Sequence, residues 1–515
     1  MPNSDFSIDG RVSPGVPSPV TYSTSKEPHQ PVLPSREVLD RARTGLVAAL
    51  PRDGIGYERT TKHILDHIAP ALNGSSNSPN YYGFVTGGVT PAAALADNIV
   101  TAYDQNVQVH LPNETVTTDV EDQALKLLCE LLELSHETWP HRTFTTGATA
   151  SNVVGLACAR EHVILSAAAR NGHSISVAEL GLAGAMRAAG VDDIQILTTV
   201  PHSSLGKAAS IVGLGRASLK AVGLPDAPHR FDPAKLEAAL ALDRTGSIVA
   251  ISCSEVNTGR FATSAYADMA AIRELCDKYG SWIHVDAAFG LLGRALNKSE
   301  FPKITAATEG MELADSITGD GHKLLNVPYD CGFFLSRHLR IGQNTFQNAN
   351  AAYLNANAGR GAASIPSPLN IGIENSRRFR ALPVYATLVA YGKQGYRAML
   401  ERQIRLARAI ARFIMDHEAY ELLPQSDLAC DHILEEIYII VLFRAKNEKL
   451  NSELVSRINA TSRIYVSGTS WEGTPACRFA VSNWQVDFDR DLQIICEVLD
   501  VVSRAPTEAW VRKVA

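Results

Sequence analysis

The sequence predicts an α/β fold: a mostly parallel sheet covered on both faces by helices in a large domain, followed by a small C-terminal α+β domain. Three observations predict it. From about residue 80 to residue 345, stretches of helical periodicity alternate with short apolar runs. The runs Ile194-Gln-Ile-Leu, Ile248-Val-Ala-Ile-Ser, Trp282-Ile-His-Val and Phe333-Phe-Leu are apolar nearly throughout rather than at every second position. That pattern marks strands buried on both faces, which helical crossovers provide. Beyond residue 435 the alternation gives way to a strand, helix, strand, strand, helix order, the signature of a separate small unit.

The elements follow in order. Residues 1–36 are rich in Pro, Ser and Thr and poor in large apolar side chains, and read as a disordered tail. Residues 37–90 form an N-terminal helical segment, with helices expected from Arg36 to Ala49 and from Tyr57 to Ile68, before Pro70, then a loop over Gly74–Pro79. A large domain spans 91–345. Its expected helices are 91–105, 119–135, 150–170, 233–242 and 264–279, and its expected strands 194–199, 247–253, 282–286, 314–318 and 331–336. Asp232-Pro233 is a strong start, an acceptor at the N-cap followed by a proline whose missing N–H costs nothing there. Residues 338–376 are rich in Asn, Gly, Ala and Ser; so long an irregular stretch reads as a mobile loop over 346–376. A linking helix (383–417) and the small domain complete 377–515, with strands at 436–444, 463–467 and 477–482 and helices at 449–459 and 487–503.

Composition narrows the function. With 515 residues, 45% hydrophobic and 20% charged, the chain is large enough for two or three domains with sizeable cores. A net charge of −6 is small for this length and argues against nucleic acid as a partner. No run approaches the length of a membrane span, so no membrane partner is expected. The start, Met-Pro-Asn-Ser-Asp-Phe, lacks secretory features, and the eight cysteines show no paired spacing. Both favour the cytoplasm, with cysteines as small core residues. No metal site is expected.

Four motifs fall at the expected C-terminal ends of strands, where open parallel sheets bind ligands. In Gly319-Asp-Gly-His-Lys-Leu-Leu, Lys323 follows an apolar strand. In Trp282-Ile-His-Val-Asp-Ala-Ala-Phe, a strand delivers Asp286 among small residues, where a carboxylate is costly unless paired. Thr145-Thr-Gly-Ala-Thr-Ala-Ser-Asn opens a helix with small and hydroxyl residues, offering N–H groups to a phosphate or simply a capped helix. Pro201-His-Ser-Ser places His202 where an imidazole could stack on a planar ring, or lie in an ordinary loop. One lysine for an aldehyde and one aspartate for a pyridine nitrogen are what pyridoxal 5'-phosphate requires of a protein.

Taken together, Thr-Gly-Ala-Thr-Ala-Ser-Asn at 146–152, Pro-His-Ser-Ser at 201–204, His-Val-Asp-Ala-Ala at 284–288, Ala-Asp-Ser at 314–316, Asp-Gly-His-Lys at 320–323 and Asn-Ser-Arg-Arg-Phe-Arg-Ala-Leu at 375–382 resemble the group II pyridoxal-phosphate decarboxylases, the family of aromatic amino acid and glutamate decarboxylases. The resemblance implies fold type I, aspartate-aminotransferase-like, with a mostly parallel seven-stranded sheet, and a homodimer with its sites at the interface. It implies removal of the α-carboxylate of an L-amino acid, an aromatic one among the options, to give an amine and carbon dioxide. It also implies roles. Lys323 carries the cofactor, Asp286 pairs with the ring nitrogen and His202 stacks on the ring. Ala148 and Thr149, joined by His322 and Asp320, meet the phosphate. Ala288 packs under the ring and Asn257 meets the ring hydroxyl. Arg478 approaches the substrate, or else forms a structural ion pair. Tyr81, Tyr82 and Phe84 resemble the substrate wall, or else are aromatic core.

The sequence departs from the family pattern in three places. The part of the loop matching the tyrosine that protonates the product carbon in aromatic enzymes reads Ala-Ser-Ile-Pro-Ser-Pro at 363–368; Tyr353 aligns with a hinge-side tyrosine instead. The proline usual before the His-Lys pair is Gly321. The wall segment at 81–88 differs from the aromatic enzymes. An aldehyde-forming oxidative variant, an aminotransferase or β-eliminating enzyme, and a scaffold without catalysis therefore stand as alternatives.

Overall fold

Strands that are apolar along their whole length need cover above and below, and the chain supplies it. The computed structural model describes residues 31–170, 172–348 and 365–504. The expected tail lies outside the described residues up to 30, and the expected mobile loop, with Tyr353, lies outside them over 349–364. Twelve strands occur among the described residues: β1 (Tyr81–Tyr82), β2 (His141–Thr145), β3 (Asp193–Thr198), β4 (Leu219–Ala221), β5 (Thr245–Ser252), β6 (Trp282–Asp286), β7 (Ser316–Asp320), β8 (Gly332–Ser336), β9 (Tyr420–Leu423), β10 (Ile440–Ala445), β11 (Tyr465–Trp471) and β12 (Thr474–Ala480).

Seven of these form one sheet in the order β2-β8-β7-β6-β5-β3-β4. All neighbours are parallel except the two pairs that involve β8. That strand returns antiparallel because the chain over 321–331 carries no helix to make a crossover. Ile248, Val249, Ile251, Ile283 and Val285 are completely buried. The helix Ala148–Arg170 lies against β5, β6, β7 and β8, so its small residues decide how closely it approaches. Gly155 is one such residue: a Cβ there would stand 2.4 Å from the ring of His284 on β6.

Most expected elements form with shifted ends. The expected strand 314–318 runs instead from Ser316 to Asp320, because Met311–Leu313 close a 3-10 turn just before it and the Asp315 carboxylate accepts the Ile283 N–H at 2.7 Å. Asp232 caps the helix Pro233–Leu240 through the N–H groups of Ala234 and Lys235, as its sequence predicts. The second N-terminal helix is α-helical over Tyr57–His63 and continues as a π-turn over Ile64–Ile68. The linking helix spans Ala381–Asp416 and breaks at Gly392, where φ is 55°. The sequence reading missed the helices Val177–Ala189 and Ser203–Ile211. Gly181 interrupts the first, and the second begins on a histidine cap.

The remaining strands form a five-stranded sheet, β1-β11-β12-β10-β9. Its edge comes from the N-terminal segment: β1 pairs in parallel with β11, Tyr81 opposite Tyr465 and Tyr82 opposite Val466. The chain then runs from this sheet to the large one. Asn326 donates its side-chain amide to Gly87 O at 2.7 Å, and Thr90 N–H returns to Asn326 O at 2.9 Å. The arginines of the 375–382 motif clamp the same region. Arg377 is buried against Glu121, Arg378 pairs with Asp97 at 2.7 Å, and Arg380 pairs with Asp330 at 2.8 Å.

Candidate active site

The C-terminal ends of β2, β3, β5, β6 and β7 lie along one edge of the large sheet, and the register sets their side chains close together. Ser252 pairs with Asp286 across β5 and β6, and Asp286 with Thr318 across β6 and β7. A cavity of about 240 Å³ opens there. Its lining includes Gly147, Ala148, Thr149, His202, Asp286, Ala288, Asp320, His322 and Lys323. The four motifs of the sequence thus meet in one place, although they span almost 180 positions.

Lys323 projects into the cavity from the turn after β7. Its Nζ lies 3.0 Å from Asp320 Oδ2 and 5.4 Å from the centre of the Phe289 ring. Asp320 serves two partners, since its Oδ1 also accepts the Ala148 N–H at 2.6 Å. A carboxylate placed this way anchors the lysine and the helix start, and its charge sets it against a direct phosphate contact. The Ser151 N–H turns back to Gly147 O. The N–H groups of Thr149 and Ala150, in the first helical turn, have no acceptor within the helix and stand at its positive dipole end.

The Asp286 carboxylate accepts from the Asn152 amide at 3.0 Å through Oδ2 and from the Ala288 N–H at 3.3 Å through Oδ1. His284, two residues earlier, is fully buried, and burial pushes its imidazole down to about 4 against the pull of Asp286. His202 caps the helix Ser203–Ile211, its Nδ1 accepting from Ser204 N–H at 3.2 Å and lying 2.7 Å from Ser204 Oγ. Burial lowers its pKa, with Asp286 opposing, so it sits as a neutral ring. The pKa of His322 is lowered by burial too, and its ring lies tilted against Tyr329 with ring centres 4.4 Å apart.

Other expected residues fall elsewhere. Neighbouring strand residues face opposite ways, and in β1 this separates the two tyrosines. Tyr82 enters the core of the small sheet, edge-on to Phe479, with its hydroxyl accepting from Asn80 at 3.0 Å. It therefore does not line the cavity. Tyr81 stacks on Tyr465 at 4.4 Å, and Phe84, 62% exposed, approaches the same ring at 6.3 Å. Asn257 turns to Thr469, whose hydroxyl donates to it at 2.8 Å, so its amide is engaged outside the cavity. Arg478, on β12, donates to Val256 O at 2.5 Å from behind the lining loop and is itself buried. Sequence reasoning missed Asn152, Ser204 and Phe289. The spacing of Asn152 from Ala148, one helical turn, was the available signal for the first.

The family model described as the pyridoxal-dependent decarboxylase conserved domain matches residues 47–434. An L-2,4-diaminobutyrate decarboxylase of Acinetobacter baumannii is 31% identical over 61% of this chain, a match spanning 60% of that relative's length. Tryptophan decarboxylase 1 of Oryza sativa subsp. japonica is 24% identical over 85% of this chain and 83% of its own. A crystal structure of Oryza sativa TDC with PLP and tryptamine superposes with a TM-score of 0.73 at 21% identity, covering 92% of this chain and 93% of that one. At that identity the likeness speaks to the fold.

Proposed function

The chain belongs to the pyridoxal-dependent decarboxylase family, and on that premise we propose that it removes the α-carboxylate of an L-amino acid as carbon dioxide, leaving the amine, with pyridoxal 5'-phosphate bound in the cavity around Lys323. One observation carries this reading: an amine and a carboxylate, Lys323 and Asp286, open on the same cavity from adjacent strands, with the His202 imidazole beside them.

The donor set fits the cofactor. The Lys323 amine suits its aldehyde. Asp286 has both oxygens held by neutral donors, so its negative charge is free to meet a protonated ring nitrogen. The free N–H groups of Thr149 and Ala150, the Thr149 hydroxyl and His322 suit the phosphate, while Ala148 and Asp320 bond each other and shape the turn. Ala288 is small enough to lie under a ring, and His202 suits the opposite face. When bound, pyridoxal phosphate supplies a ring that takes up the electron pair left as the Cα–carboxylate bond breaks. The chain does the rest. Asp286 stabilises the positive ring nitrogen, Asp320 orients the Lys323 amine, and His202 shields the ring from water. Tyr81 and Phe84, which pack around Tyr465, belong to this reading as candidates for meeting a substrate side chain.

Homodimerisation is part of this reading. The N-terminal segment exposes Leu46, Val47, Leu50, Tyr57 and Leu65, with Leu50 97% exposed, an apolar surface that a second copy would cover. The eight cysteines are free, which suits a reducing compartment such as the cytoplasm. Among the described residues, no helix is long and apolar enough to cross a membrane.

The test is to incubate the purified protein and pyridoxal phosphate with pooled amino acids in air and to score amine, aldehyde, ammonia, peroxide and carbon dioxide. Amine and carbon dioxide in equal amounts from one amino acid are expected, and name the substrate. Aldehyde with peroxide and ammonia would replace the simple decarboxylase with the oxidative variant suggested by the tyrosine-free sequence at 363–368. A keto acid requirement would mean transamination.

A further inference from the structure

Asn152 lies beneath the cavity rather than on it, fully buried one turn into the helix Ala148–Arg170. A side-chain amide offers two hydrogens and two lone pairs, and here all four are used. Nδ2 donates to Asp286 Oδ2 at 3.0 Å and to Ser204 Oγ at 3.3 Å. Oδ1 accepts from Thr318 Oγ1 at 3.1 Å and from His284 Nε2 at 2.9 Å. The partners fix the orientation of the amide, because turning it over would set its oxygen against a carboxylate.

The directions of the neighbouring bonds follow. His284 carries its hydrogen on Nε2, so its Nδ1 accepts from Ser316 Oγ at 2.8 Å, and that oxygen accepts the indole N–H of Trp282 at 2.8 Å. Ser204, whose oxygen receives from Asn152, passes its own hydrogen to His202 Nδ1 at 2.7 Å. A single side chain therefore joins the end of β6, the middle of β7 and the helix start that carries His202. It donates to the Asp286 carboxylate and to the Ser204 hydroxyl that bonds His202.

We propose that Asn152 is a positioning residue: its amide holds the Asp286 carboxylate toward the ring nitrogen of the cofactor. This rests on the pyridoxal phosphate reading above. Removing the amide takes a charge-assisted hydrogen bond from Asp286 and leaves Ser204 free to turn. A purely structural role would weaken the site for any ligand of the same shape. A role through Asp286 weakens it only for a ligand with a ring nitrogen.

The experiment titrates apoprotein with pyridoxal phosphate and, separately, with its carbocyclic analogue in which CH replaces the ring nitrogen, following the visible absorption of the bound ligand. Wild type, N152A, N152D and D286N are compared, with melting of each apoprotein as the check on folding. N152A should raise the Kd for pyridoxal phosphate about tenfold or more while changing that of the analogue by less than about twofold. N152D, equal in size but unable to donate to Asp286, should do the same and carries the test if N152A fails to fold. Equal losses for both ligands, or none for either, would overturn the role of Asn152. A wild type that binds neither ligand, or a D286N variant that discriminates between them as well as wild type does, would overturn the cofactor reading itself.

Discussion

Two residues carry the proposed chemistry, and each gives a separable prediction. Lys323 is the amine that the cavity presents from the turn after β7, held by Asp320 at 3.0 Å. Lys323→Ala should abolish turnover and shift the visible absorption of the bound cofactor, measured on dialysed protein; normal amine production by that variant would remove the lysine from its role. Asp286→Asn keeps the size of the side chain and removes its charge. Loss of a preorganised charge at a reacting ring costs on the order of 10²–10³ in rate, so kcat for amine release should fall by that much while the apoprotein keeps its melting temperature. Both residues were legible in the sequence because each follows an apolar strand and is flanked by small residues. Tyr82, Asn257 and Arg478 are not among the residues lining the cavity, for a shared reason. A motif gives the order of residues along the chain, whereas the side of the strand or loop each faces is decided by pairing with β11 and β12, far away in sequence.

The loops and helix starts depend on close backbone approach. A Cβ on Gly87 would stand 1.9 Å from the Lys323 carbonyl oxygen and 2.6 Å from Asn326 Nδ2. Gly87→Ala must therefore push the lysine turn away from the N-terminal segment. Overpacking of this kind costs about 1–3 kcal/mol, and its direction here predicts a second effect, a weaker hold on pyridoxal phosphate. Denaturant melts and cofactor titration of the same variant check the two together. Elements with clean signals, such as Asp232-Pro233 and β5, were read from sequence within two or three residues of where they form. The helix Ser203–Ile211 was not, because its cap is the histidine that also enters the cavity. The proposed site takes a cap position that local propensity would have given to Ser or Asp.

At the scale of the whole molecule, burial holds several histidines as neutral rings, and this makes stability fall with acid. His141, His162, His229 and His284 are each pushed down to about 4, chiefly by burial, from an ordinary value of 6.5. In the unfolded chain they take up protons below pH 6.5, while in the folded chain they do not until about pH 4. The unfolded state therefore binds more protons in that window, and stability falls as pH falls through it, by up to about 1.4 kcal/mol per pH unit for each ring. Melts between pH 7 and pH 4 should show that loss, and replacing His141 by Gln should reduce its slope by about a quarter at most. The seven-stranded sheet was legible as a fold class because helix and strand alternate so regularly. The small sheet's reach back to β1 was not, since two residues of strand carry no periodicity. Beneath the large sheet, Trp282 lies with His162 and His338 at ring distances of 5.1 and 4.9 Å, and its indole N–H bonds Ser316. Protonated imidazoles quench excited indoles, so the emission of this tryptophan should dim as His162 charges. The acid transition would then be visible as a change of light from the protein's own interior, with no added dye.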